Sequence, residues 1–177
     1  MAIGAESETR YVVAPLDSWI AFEGRSTLHS VQGKATNLDG YVEAAWNSDG
    51  TLSTQPAPRM HLEFPVEQLR SSNGLQDREM WKMIDSKRFP RIAADLRQLL
   101  PTQDPDRYAA SGDVTLAGKS RRYDGTLTLS HSADRMAIEG EVDVDIRDFG
   151  LKPPSLLLIK VEPIVKLRLH AVAMRSG

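Results

Sequence analysis

A chain of 177 residues, 41% hydrophobic and 26% charged, is long enough to enclose one core, short for two, and too apolar to stay disordered. Its formal net charge of −2, with basic residues scattered along the sequence, provides no footprint for a phosphate backbone and excludes nucleic acid as an expected partner. Cysteine is absent, which removes disulfides, thiolate nucleophiles and thiolate metal sites together and leaves the compartment open.

Residues 1–10, MAIGAESETR, read as a flexible arm without the apolar stretch of a secretory signal. No later segment approaches the ~20 apolar residues of a membrane span. A soluble cytoplasmic protein is expected, or a periplasmic one where a leader has been removed. Period-two alternation begins over residues 18–23, where Ile20 and Phe22 share a face. Turn signals follow at 37–40 and 47–50. Met60, Leu62, Phe64 and Val66 then alternate with His61, Glu63 and Pro65, as in a half-buried strand.

Residues 77–86 break that period and predict a short helix, with Met80, Met83 and Ile84 on one apolar face and Trp81 beside it. Residues 101–107 read as a polar loop. Alternation resumes over 108–116 and 123–130, separated by a turn at Gly118-Lys119. After a turn over 132–135 it is clearest at Met136, Ile138, Gly140, Val142, Val144 and Ile146. A last strand carries Val165, Leu167, Leu169 and Ala171 against Lys166, Arg168 and His170. The class is all-β and antiparallel, and so many amphipathic strands are expected to close their edges in a barrel or a sandwich, with the helix lying across it.

The sequence contains no GxSxG, HExxH, phosphate-binding glycine loop or GxGxxG, so nothing in it supports catalysis and no catalytic residue or cofactor is assigned. His29, His61, His131 and His170 are isolated from one another and read as surface residues rather than metal ligands. Glu139, Glu141, Asp143 and Asp145 share a strand face that could hold a cation, but basic partners such as Lys166 and Arg168 make a solvated outer face the better reading. The Met80, Trp81, Met83 and Ile84 cluster suits a helix packing on its core and equally the wall of a site for a long featureless ligand, because thioethers adapt to irregular apolar shapes. Arg147 could pair with Asp148 to fix a strand end, or meet a polar head group at a rim; Gly150 and Pro153-Pro154 turn the chain there. The run Leu156 to Ile159 is apolar enough to suggest an interface, as in a homodimer.

Four segments in order resemble the YceI-like family, lipocalin-like barrels associated with binding polyisoprenoids. They are Val31-Gln32-Gly33; Asp77-Arg78 followed by Lys87-Arg88-Phe89-Pro90-Arg91-Ile92; Gly112 to Gly118; and Ile146 to Gly150. The resemblance runs over about residues 17–173. It implies an eight-stranded antiparallel barrel with a short helix near its mouth and an apolar tunnel for a prenyl chain. On that likeness Phe22, Leu62, Phe64, Val114, Leu127, Leu129, Val144 and Leu167 would line the tunnel. Met80, Trp81, Met83, Ile84 and Phe89 would lie toward its mouth, with Arg147 and Phe149 completing the candidate set. The expected function is non-catalytic binding, transport or sequestration of an isoprenoid or fatty-acid-like molecule; a barrel filled by its own side chains and serving protein interaction is the alternative.

Overall fold

Alternating apolar and polar side chains carry most of the chain into antiparallel strands. The computed structural model describes residues 7–28, 30–153, 155–156 and 159–177, with the backbone alone for 155, 156, 159 and 160. Among these the strands are β1 (Thr9–Val13), β2 (Trp19–Arg25), β3 (Ser30–Thr36), β4 (Asp39–Ala44), β5 (Arg59–Pro65), β6 (Arg70–Ser71), β7 (Arg91–Pro101), β8 (Arg107–Leu116), β9 (Lys119–Ser132), β10 (Arg135–Asp145), β11 (Ser155–Leu156), β12 (Ile159–Lys160) and β13 (Ile164–Arg175). One helix, α1 (Gly74–Ile84), interrupts them. Strand β1 takes in Thr9 and Arg10, which fall within the arm expected over residues 1–10, and Val66 leaves β5 for a 3-10 turn.

Eight strands pair in the order β1-β4-β5-β7-β8-β9-β10-β13, and a β1–β13 pairing closes the ring. This is the eight-stranded antiparallel barrel that the resemblance implies. Strand β13 pairs with β10 along one edge from Ile164 to Met174. Its other edge is divided: Ala173 to Arg175 pair with β1, and Lys166 to His170 with β2. Between those two partners the chain leaves the sheet through Pro15–Asp17. There the buried Ser18 hydroxyl donates to the Ala14 carbonyl at 2.8 Å and accepts from the Val172 amide at 3.0 Å, which satisfies the backbone at the interruption. Strands β2, β3 and β6 continue from β13 as a three-stranded flap outside the ring.

The helix begins at Gly74 rather than Asp77, because Asn73 is its N-cap: the Asn73 side chain accepts from the amides of Leu75 at 3.0 Å and Gln76 at 3.2 Å. Asp77 instead lies buried in the first turn and accepts from both the amide and the hydroxyl of Ser71, each at 2.7 Å. Asp85, at φ 63°, ends the helix in the left-handed region, one residue before the expected Ser86. The Trp81 indole donates to the Leu69 carbonyl at 2.9 Å, anchoring α1 to the chain that leads into β6. The β8–β9 hairpin turns through Ala117 and Gly118, both at positive φ, as a tight two-residue loop requires; the turn thus sits one residue before the expected Gly118-Lys119.

Candidate functional site

The two ends of the barrel are built differently. At the β1–β4 end, Tyr11, Val13, Val42, Met136, Ile138, Ala171 and Ala173 are each 3% exposed or less. A hole of about 10 Å³, room for about one water, lies there between side chains that include Met60, Leu96, Leu127, Leu129 and Met136. That end is filled. At the helix end, Ile20, Val31, Ile92, Val114, Val142 and Leu167 belong to the inward-facing apolar set of their strands and are only half-buried. The two-residue β6 is the free edge of the flap, which lies outside the closed ring at this end.

Of the sequence-derived candidates, Phe22, Phe64, Val114, Val144 and Leu167 fall in the half of the barrel toward α1. Met80, Trp81 and Met83 are half-buried against the core from the helix, and Ile84 is fully buried. The Phe89 ring covers the β8–β9 turn, where a Cβ on Gly118 would come within 2.5 Å of it. Leu62 is buried in β5, and Leu127 and Leu129 lie around the residual hole of the filled end. Toward α1, Phe22, Phe64 and Val144 are buried and Val114 and Leu167 partly exposed, so the candidates divide between a partly accessible end and a closed one.

Arg147 is exposed and pairs with Asp145 at 2.7 Å, not with the neighbouring Asp148. Asp145 is the N-cap of the 3-10 turn Ile146–Phe149, so a residue two positions back offers both a cap and an ion-pair partner. Asp148 is left to accept a 2.6 Å hydrogen bond from the hydroxyl of Tyr123, whose ring stacks on the buried Phe149 with centroids 6.0 Å apart. Tyr123 faces inward on β9 in phase with Leu127 and Leu129, and alternation is the signal that could have added it to the candidates. Burial, then the hydrogen bond and negative charge of Asp148, push its phenol well above the ordinary tyrosine range.

The outer face explains the charged residues. Glu141 pairs with Lys166 at 3.2 Å and lies 3.8 Å from Arg168, as a solvated sheet face would have it. His61 bonds Asp95 at 2.7 Å, His170 bonds Glu139 and stacks on Trp19, and His131 stacks on Trp46. His29, the side chains of the Leu156 to Ile159 run and residues 1–6 lie outside the described residues. Among the described residues no three His, Cys, Asp or Glu side chains converge into a metal-holding group, and no helix is long and apolar enough to cross a membrane.

A profile of the YceI-like domain matches residues 11–173, all of the closed barrel and its flap but the first two residues of β1 and the last two of β13. The chain belongs to the YceI-like family. Solved structures similar to this YceI-like domain include Burkholderia cenocepacia BcnA, at 12% identity and TM-score 0.74 over 90% of this chain and 98% of that one. A polyisoprenoid binding domain from Saccharophagus degradans, implicated in plant cell wall breakdown, aligns at 13% identity and TM-score 0.73 over 94% and 98%. The Campylobacter jejuni YCEI protein aligns at 12% identity and TM-score 0.63 over 83% and 86%. A comparison with curated proteins returned no match. At these identities the likeness establishes the fold and leaves any ligand to the residues of this chain.

Proposed function

We propose that this YceI-like domain is a non-catalytic carrier that takes one chain-like apolar molecule, an isoprenoid or a fatty-acid-like amphiphile, into the helix end of the barrel. The observation that carries this reading is the contrast between the ends: inward-facing Val114, Val142 and Leu167 keep part of their surface exposed, whereas the hole among the side chains at the other end is only about 10 Å³. The S. degradans structure, described as a polyisoprenoid binding domain, supports a prenyl chain as the class of occupant. Binding draws on apolar burial at about 25 cal/mol per Å², so a few hundred Å² contribute several kcal/mol before ordering costs. Selectivity then follows the length the open end admits rather than polar contacts.

Native mass spectrometry of the freshly purified protein, before and after incubation with an isoprenoid quinone and with palmitate, tests the reading. A one-to-one adduct that is lost when Val142→Phe fills the open end supports the carrier. A clean apo mass under all conditions overturns it and favours a filled barrel that serves protein contacts.

A further inference from the structure

The outer face of the flap carries a concavity of its own. Register places Arg168, Ala21, Lys34 and Arg70 in one cross-strand row and Lys166 and Glu23 in the next. Alternate residues of a strand face opposite sides, so these project away from the interior that Phe22 and Leu167 face. They line an open groove of about 620 Å³. Ala21, with no more than a methyl group, leaves the middle of the first row unfilled.

The charge in this groove is unbalanced. Four cations, Lys34, Arg70, Lys166 and Arg168, line it against one carboxylate, Glu23, among the described residues. Elsewhere on the barrel neighbouring arginines are bridged by a shared carboxylate: Arg97 and Arg122 both bond Asp113 at 2.7 Å, and Arg10 and Arg59 both bond Glu43. Lys166 and Arg168 share Glu141 at the groove's margin. Lys34 and Arg70 form no ion pair among the described residues. Each lies over an indole instead, the Lys34 ammonium 4.3 Å from the Trp19 ring centre and the Arg70 guanidinium 5.6 Å from that of Trp81. A chain of net charge −2 has thus gathered unmatched cations in a concavity, where low-dielectric walls focus their field.

We infer that this groove binds a phosphate-bearing group, a mono- or diphosphate that arrives either free or as the headgroup of a lipid. Arg70 and Arg168 offer guanidinium forks for charge-assisted hydrogen bonds to phosphate oxygens, and Lys34, between them in the row, adds a point charge. The groove lies on the opposite face of the flap from the barrel interior, so this inference stands whether or not an apolar molecule occupies that interior.

The test uses the full chain. Calorimetric titration with inorganic pyrophosphate presents the free group, and co-sedimentation with phosphatidylglycerol vesicles, against phosphatidylcholine vesicles, presents it on a lipid. Binding of either probe is expected to weaken about tenfold or more in Lys34→Glu combined with Arg70→Glu, as loss of charge-assisted bonds predicts. Glu23→Gln, which removes the opposing carboxylate, is expected to tighten it severalfold, a gain that misfolding cannot produce. Pyrophosphate binding identifies a free anion, and vesicle binding without it identifies a headgroup; either supports the site. Failure of both probes to bind, or equal affinity in the parent protein and these variants, overturns it.

Discussion

Tyr123 places a phenol in an otherwise apolar wall, and the stability of the barrel at high pH should report it. Its folded pKa is raised, first by burial and then by Asp148, above the ordinary value of 10.0. The unfolded chain therefore releases this proton before the native one does. The contribution is fully present below about pH 10 and drains as the pH rises from there toward the folded value. Tyr108, raised by burial and by Asp106, adds a term of the same sign. Chemical denaturation at a series of alkaline pH values should show unfolding free energy falling above about pH 10, with a shallower slope in Tyr123→Phe. An unchanged slope would remove Tyr123 from the account. Gly33 makes a second case at this scale. The Phe22 ring lies on it from the facing strand, and a Cβ there would come within 2.4 Å of that ring and 2.5 Å of the Arg70 carbonyl. The Val31-Gln32-Gly33 segment thus has a physical reason: the flap can lie flat against its own aromatic only where the side chain is missing.

Among the elements, those legible in the sequence are the ones whose alternation stays in phase. Strands β10 and β13 keep their apolar residues on alternate positions for most of their length and pair along it without a slip. Strand β7 was missed because its phase changes: Ile92, Ala94 and Leu96 face inward, then a bulge between Leu96 and Gln98 shifts the register so that Leu99 is the next buried residue. Strand β1 is five residues long, too short to show a period, and β4 mixes Gly40, Tyr41 and Ala44 without clear contrast. The helix was placed by Met80, Met83 and Ile84, but its start depends on Asn73, which acts through two backbone bonds that hydrophobic spacing does not register. For the candidate site, alternation found Phe22, Val114 and Leu167. It could not show that Leu129 and Leu167 belong to ends of opposite character, because that depends on how much each layer fills. A substitution pair measures this difference. Ala173→Leu, at a fully buried position, should cost about 1–3 kcal/mol in urea unfolding, whereas Val142→Phe, which also adds bulk, should cost less than about 1 kcal/mol. Equal costs would mean that the helix end is as tightly packed as the other.

For the whole molecule, a ligand held inside the native barrel and absent from the unfolded chain must stabilise the fold. At a hundred times its dissociation constant it contributes about 2.7 kcal/mol. Thermal unfolding of the protein loaded with isoprenoid quinone should therefore shift upward with ligand concentration, and the shift should vanish in Val142→Phe but persist in Lys34→Glu. An identical midpoint with and without quinone would show that the quinone sits elsewhere or not at all. The divided edge of β13 has a further consequence. Because β1 seals the ring at one end while β2 carries the flap from the same strand at the other, the girth of the open end is set by a sheet that is not itself part of the closed circuit. The barrel behaves as a sleeve slit along one seam for half its length. On the proposed carrier reading, a cargo would enter at the cuff that β2, β3 and β6 border, and the stitched end would stop its tip.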